Sequence, residues 1–438
     1  MTTTIRTQNA TLNLDAVRAD FPILGREVNG HPLTYLDSAN TSQMPILVQN
    51  RMREHQRRHN ANAARSAHTL GNEATEAYEG ARGKVAAFIG ARTPEEVVFT
   101  KNSTEAINLV AHTFSAPAAQ RIIDERLVLR RGDEILVSEM EHHSNLVPWQ
   151  LLCDRTGATL RWLPLTDDGR LDLTRLDELV NERTKIVSIV HMSNILGTVN
   201  PVAPIVARAH AVGALMLLDA SQSVPHMPID VTALDVDFVA FSGHKMCGPT
   251  GIGVLWGRAE LLELMPPFLG GGSMIDVVSM RHSTYAHPPA RFEAGTPPIL
   301  SAVGLGAAVD YLSGLGMTAV DRHERDLTAY ALTVLQEVPG MRLYGPTTTL
   351  DRGAVISFNV DGVEPVRLGS LLDSLGVQVR VGRHCAAPVC TRFGVTSTTR
   401  ASFYLYTTTA EIDTLVNGLM LAHRWVSDGR EPHRGKTR

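Results

Sequence analysis

The chain has 438 residues, 44% of them hydrophobic and 20% charged, with a formal net charge of −4. That is a globular composition with length for two or three domains, and the mild negative charge excludes a general nucleic-acid binder, which carries a basic patch or tail. No apolar run approaches the roughly 20 residues of a membrane helix, and the opening MTTTIRTQNATLNLD lacks the apolar centre of a secretory signal, so the expected setting is cytoplasmic, with neither nucleic acid nor membrane as partner.

In chain order, Leu14–Arg18 begins a short helix expected to pack on a small C-terminal domain. Apolar strands are expected at Glu96–Thr100, Glu134–Ser138, Lys185–His191, Leu215–Asp219, Phe238–Ser242 and Gly253–Trp256, with helical patterns between them at Asn145–Arg155 and Pro201–Val212. Such alternation predicts an α/β domain around a mostly parallel sheet, whose ligands sit beyond the carboxyl ends of the strands. Tyr311–Gly340 reads as largely helical and carries the chain into a smaller α+β domain. That domain has short strands, a helix at Val366–Leu375 and a last helix from Ala410 to about Trp425. The expected division is an N-terminal segment 1–35, a large domain 36–308, a small domain 309–426 and a frayed tail 427–438.

The four cysteines, Cys153, Cys247, Cys385 and Cys390, form no C-x-x-C pair. A structural zinc or thioredoxin-like motif is therefore not expected, nor any other metal, and so few cysteines suit a reducing compartment.

Five strand ends and loops carry candidate chemistry. In Thr100-Lys101-Asn102-Ser103-Thr104-Glu105 a strand gives way to a helix, and Ser103 and Thr104 could bind a phosphate with the backbone N–H groups of the first turn; the plainer reading is a helix N-cap. The segment Ser138–Asn145 presents His142 and His143 at a strand end, where His142 could stack on a ring and move protons or be simple loop polarity. Asp219 ends an apolar strand, and a carboxylate there could keep a pyridinium nitrogen protonated, with Gln222 near the ring's phenolic oxygen; the plainer reading is a helix cap. Lys245 follows 26 positions later in Ser242-Gly243-His244-Lys245. A lysine at the end of a buried strand suits a Schiff base, because partial burial disfavours its charged form, and Ser242 and His244 beside it can bind phosphate. The order strand–Asp, then strand–Ser-x-His-Lys, points to pyridoxal phosphate (PLP) far more specifically than either part. Finally, Cys385 stands among Arg380, Arg383 and His384, positive neighbours that raise a thiolate fraction. Arg400 opens the strand after it and suits bidentate binding of an amino-acid carboxylate; the plainer reading is a structural ion pair.

Together these motifs resemble the cysteine desulfurases of the class V aminotransferase family, and within it the group II, SUF-type branch with its selenocysteine-lyase-like members. The likeness runs from about Val17 through Arg424 and is most specific at Ser-Gly-His-Lys 242–245, Arg-Phe-Glu-Ala-Gly-Thr-Pro 291–297 and Arg-Val-Gly-Arg-His-Cys-Ala 380–386. The resemblance implies a fold-type I PLP enzyme working as a homodimer, with its site at the subunit interface. It implies that Lys245 carries the cofactor and moves protons at the substrate Cα, that Asp219 meets the pyridine nitrogen, Gln222 the phenolic oxygen, and that His142 stacks on the ring. Ser103, Thr104, Ser242 and His244 would hold the phosphate, joined by Gly295 and Thr296 of the partner subunit. Asn194 and Arg400 would take the substrate carboxylate, with Arg380 beside the substrate. The implied reaction takes L-cysteine to L-alanine, leaves sulfur as a persulfide on Cys385, and passes it to a sulfur-acceptor protein, expected in iron–sulfur cluster assembly. The alternatives are a selenocysteine lyase acting on L-selenocysteine, another class V reaction, and a catalytically silent scaffold. Three departures from the family pattern stand out: Ala63-Ala64-Arg65-Ser66 where Val-His-Arg-Gly is common, Arg383 in place of a histidine, and a long Ser115–Arg130 stretch.

Overall fold

The computed structural model describes residues 11–63, 67–115 and 124–427, the last three of these by backbone alone. A seven-stranded sheet runs in the order Val97–Thr100, Gly253–Gly257, Phe238–Ser242, Leu215–Asp219, Thr184–Val190, Glu134–Ser138, Thr159–Leu163. Gly253–Gly257 is antiparallel to both of its neighbours, and the remaining pairings are parallel. The mostly parallel α/β sheet expected from the sequence is thus present.

The apolar runs are continuous because the sheet is covered on both faces. Successive side chains alternate between two cores. Met216, Leu218, Val239 and Phe241 enter one, while Leu215, Leu217, Phe238 and Ala240 enter the other. The direction of the strands matters more for function. Val97–Thr100, Glu134–Ser138, Thr184–Val190, Leu215–Asp219 and Phe238–Ser242 all point the same way, so their carboxyl ends share one edge. Gly253 begins at that edge too. A Cβ there would stand 2.4 Å from the Asn102 Cα, so only glycine lets this strand pass the loop after Thr100.

A second sheet is antiparallel, in the order Met341–Tyr344, Val355–Val360, Thr398–Ser402, Arg380–Gly382. Its core joins Ile356, Phe358 and Ala401 to Leu332, Leu372, Leu415 and Leu419 of the helices Met317–Gln336, Pro365–Ser374 and Thr409–Ser427. Arg380 and Arg400 are direct cross-strand partners. Ser357 Oγ donates to Ile195 O at 2.5 Å, tying this sheet to the loop after Val190. The helix Leu14–Ala19 reaches the last helix through Arg18, which pairs with Glu411 at 3.0 Å.

Several boundaries differ from the sequence reading for local reasons. Residues 94–96 form a 3-10 turn begun by Pro94, so the strand starts at Val97. Pro148 fixes the first turn of a helix, and Val147–Thr156 begins after a separate turn at His143–Asn145. The long helical stretch is two helices, Ile299–Leu315 and Met317–Gln336, meeting at 74° around Gly316 with φ +83. Residues 64–66 of one family departure, and 116–123 of the long stretch, lie outside the described residues. Within the remainder of that stretch Leu127 and Leu129 are buried, so it returns to the core before Arg130. Among the described residues no single helix is long and apolar enough to cross a membrane.

Candidate active site

At the shared edge, twelve of the sequence-predicted residues line one cavity of about 200 Å³: Ser103, Thr104, His142, Asn194, Asp219, Gln222, Ser242, His244, Lys245, Arg380, Cys385 and Arg400. Gly295 and Thr296 do not; Gly295 lines a separate cavity with Arg82 and Glu293. A larger cavity, about 470 Å³ between Arg51, His55 and Lys84, holds none of the strand-end chemistry.

Asp219 is 2% exposed. Its Oδ1 accepts from Ser221 N at 3.0 Å and Ser221 Oγ at 2.5 Å. No helix follows it, so the helix-cap reading falls. Lys245 sits on the turn Gly243–Lys245 that ends the next strand. Burial lowers its pKa to about 8; the Asp219 charge opposes that fall and Arg400 adds to it. Gln222 donates from Nε2 to Ala39 O at 2.7 Å, while its Oε1 is buried without a partner.

The helix Ser103–Phe114 is capped by Asn102, whose side chain accepts from Glu105 N. The cap is therefore Asn102, and Ser103 and Thr104 are left in the first turn facing the cavity. Ser103 N donates to Ser242 Oγ at 2.9 Å, and Ser242 Oγ donates to Ser103 Oγ at 3.0 Å. Thr104 Oγ1 lies 2.6 Å from Ser144 Oγ. His142 Nδ1 accepts from Ser144 N at 3.1 Å, so the neutral ring carries its proton on Nε2. Burial first, then Lys245 and His143, bring the His142 pKa down to about 3, and the ring is neutral at ordinary pH. His244 is likewise held near 4 by burial and by Lys245.

The opposite wall comes from the second sheet. Arg400 is buried, donating from Nη1 to Asn194 O at 2.9 Å and from Nη2 to Asp37 Oδ1 at 3.1 Å, with its Nε unpartnered. Arg380 stands 3.8 Å from the other Asp37 oxygen. Asn194 uses Nδ2 on His384 O at 2.7 Å. Cys385 is the exposed cysteine of the four; Cys247 and Cys390 are buried and Cys153 is partly so. Burial pushes the Cys153 thiol up to about 11 and Cys247 to about 12, and raises Cys390. One expectation needs correction. His384 does not add positive charge beside the thiol, because burial, with Arg400, holds its pKa near 3, and its Nε2 faces Thr398 Oγ1 at 2.9 Å.

Sequence reasoning missed Asp37, Asn102 and Ser144. Asp37 follows only the two apolar residues Tyr35-Leu36, a far shorter run than the one that ends at Asp219.

The residues fit PLP. Hydroxyls and a helix N-terminus gather at Ser103, Thr104 and Ser242, which suits a phosphate. A buried carboxylate, an amine of lowered pKa and an unpartnered amide oxygen stand around the same space.

The aminotransferase class-V family model matches residues 34–415. A probable cysteine desulfurase of Streptomyces coelicolor is 59% identical over 409 residues, covering 93% of this chain and 96% of its own. A cysteine desulfurase of Dickeya dadantii is 50% identical, covering 95% and 98%. Among solved structures, the cysteine desulfurase CsdA of Escherichia coli superposes with a TM-score of 0.85 at 37% identity, covering 95% of this chain and 99% of that one. The apo cysteine desulfurase of Thermococcus onnurineus superposes at 0.88, also at 37% identity, covering 95% and 100%.

Proposed function

This chain belongs to the aminotransferase class-V family, among its cysteine desulfurases, and we propose that it converts L-cysteine to L-alanine by way of a persulfide on Cys385. The observation that carries this reading is the meeting, in one cavity, of Lys245 with its lowered pKa, buried Asp219, and the exposed Cys385 beside two arginines.

PLP, when bound, supplies an electron sink for the bond-breaking at the substrate. Asp219 would hold its pyridine nitrogen, Gln222 its phenolic oxygen, and Ser103, Thr104, Ser242 and His244 its phosphate. Neutral His142 would cover the ring. Arg400 fixes the substrate carboxylate with its planar fork, helped by Arg380, and Asp37 keeps the two guanidiniums in place. The Lys245 amine takes and returns the Cα proton, a task its pKa of about 8 suits near neutral pH. The Cys385 thiolate then attacks the substrate sulfur. The new S–S bond forms as the Cβ–S bond breaks, its electron pair passes to the three-carbon fragment, and that fragment is protonated and leaves as alanine. Cys385 keeps the extra sulfur until a second thiol removes it.

A sulfur-acceptor protein is therefore part of the proposal, and the family resemblance suggests iron–sulfur cluster assembly as the destination. The proposal also includes a homodimer, supported by the resemblance of the Gly295-Thr296 segment to a phosphate contact that crosses subunits in the family. A cytoplasmic setting is supported by four cysteines that are all free. Nothing favours the selenocysteine lyase or silent-scaffold alternatives over this reading. The test is release of alanine and sulfide from L-cysteine by the PLP-loaded protein, with and without a thiol reductant. Wild-type protein that binds PLP yet releases neither product would overturn the proposal.

A further inference from the structure

The loop that carries Cys385 has an unusual backbone. His384 and Cys385 both lie in the left-handed region, with φ +50 and +55, which L-residues disfavour because Cβ crowds the following carbonyl. Two consecutive residues of this kind persist only when their surroundings hold them. Hydrogen bonds from outside the loop do so here. His143 N donates to Cys385 O at 2.6 Å. Ala387 N donates to His143 Nε2 at 3.2 Å. Asn194 Nδ2 donates to His384 O at 2.7 Å. Ala387 opens the short helix Ala387–Arg392, and its N–H has no partner within that helix, so the His143 ring supplies one.

We propose that His143 is a positioning residue for the Cys385 thiol: its main-chain N–H and its ring nitrogen grip the loop on either side of the nucleophile and keep the thiol facing the cavity. The adjacent histidines then divide their work, His142 toward the cofactor and His143 toward the loop that carries Cys385. If the grip fails, the left-handed residues relax to negative φ, and the Cα–Cβ bond of Cys385 swings to a new direction. The ring must be neutral at Nε2 to accept from Ala387; partial burial and Arg383 both lower its pKa and favour that form. The inference rests on the reading of Cys385 as the thiol that takes sulfur.

The test compares His143→Ala with His143→Gln in the full-length protein. The glutamine Oε1 can replace Nε2 as the acceptor. In the PLP-loaded protein, His143→Ala should keep the cofactor absorption and the spectral change on adding L-cysteine. Its single-turnover persulfide formation on Cys385 should fall roughly ten-fold, the scale of one lost hydrogen bond to a rigid element. In cofactor-free protein, iodoacetamide alkylation of Cys385 should speed up by about three-fold or more as the loop loosens. His143→Gln should stay within about two-fold of wild type in both measurements. The proposal is overturned if His143→Ala matches wild type in both, or if His143→Gln is as impaired as His143→Ala. The alkylation result stands without turnover. Wild-type protein that forms its persulfide elsewhere would refute the desulfurase role of Cys385, while a faster alkylation in His143→Ala, reversed in His143→Gln, would still sustain the positioning role.

Discussion

Lys245 offers a quantitative test of the site before any cofactor is added. Burial brings its pKa from an ordinary 10.5 to about 8. That difference is roughly 3 kcal/mol against the charged form, at a little over 1 kcal/mol per unit. At pH 7 about one Lys245 amine in ten is then neutral, against about one in three thousand for an unperturbed lysine, which is roughly 300-fold more nucleophile. The assay is reductive methylation of the cofactor-free protein with formaldehyde and cyanoborohydride from pH 6 to 10, read by peptide mass, with exposed Lys101 followed alongside. Labelling at Lys245 should rise and level off with an inflection near 8. The Asp219 charge raises the Lys245 pKa, so Asp219→Asn should move the inflection lower. A Lys245 rate still climbing through pH 10, or an inflection that Asp219→Asn moves upward, would refute the electrostatic account of this site.

Three further outcomes follow from the packing. Arg82 is buried against Glu293, with nitrogens at 2.7 and 2.9 Å from its two oxygens, and Glu293 Oε1 also accepts from Phe99 N at 2.7 Å. Arg82→Ala strands that carboxylate and should cost about 3–5 kcal/mol by calorimetry or denaturant titration; a loss under about 1 kcal/mol counts against the buried pairing. Glu141 is fully enclosed, accepting from Asn145 Nδ2 at 2.6 Å and Val190 N at 2.9 Å, and burial raises its pKa from 4.5 to about 8. The raised value favours the protonated folded form, so its contribution to stability is full below pH 4.5, falls as pH rises and is gone above about 8. Glu141→Gln should flatten that decline in thermal scans, and parallel profiles for the two proteins exclude the assignment. Arg400→Lys loses the planar fork that grips a carboxylate and should raise the KM for L-cysteine by about ten-fold or more with the cofactor spectrum intact; an unchanged KM removes Arg400 from substrate binding.

Most of the candidate site was legible because strands buried on both faces write long apolar runs that stop abruptly at a polar residue. Leu215–Asp219 and Phe238–Ser242 are such runs, and Asp219 and Lys245 follow from their ends. The direction of Gly253–Gly257 was not legible, since an apolar run carries no polarity. Its antiparallel course comes from the short return after Lys245, pinned by Gly243 N on Ile252 O at 2.9 Å. Asp37 escaped because it follows the two-residue strand Thr34–Tyr35, too short for any periodicity, whose partner Val377–Gln378 lies far along the chain. His384 was misread for a related reason. Adjacency in sequence gives no side-chain direction, and a left-handed backbone at His384 turns its imidazole toward Thr398, away from the role of a cation beside the thiol. Gly295 and Thr296 were expected, from the motif, to reach the site of a partner subunit, and neither lines the cavity within this chain.

The central claim is that sulfur lands on Cys385, and peptide mass mapping after one turnover with L-cysteine tests it directly. The account predicts one added sulfur atom on the Cys385 peptide, none at a comparable rate on Cys153, Cys247 or Cys390, and, in Cys385→Ala, retained PLP absorption with nearly all persulfide and alanine formation lost. Sulfur appearing first on Cys390, or alanine released by Cys385→Ala at the wild-type rate, would contradict it.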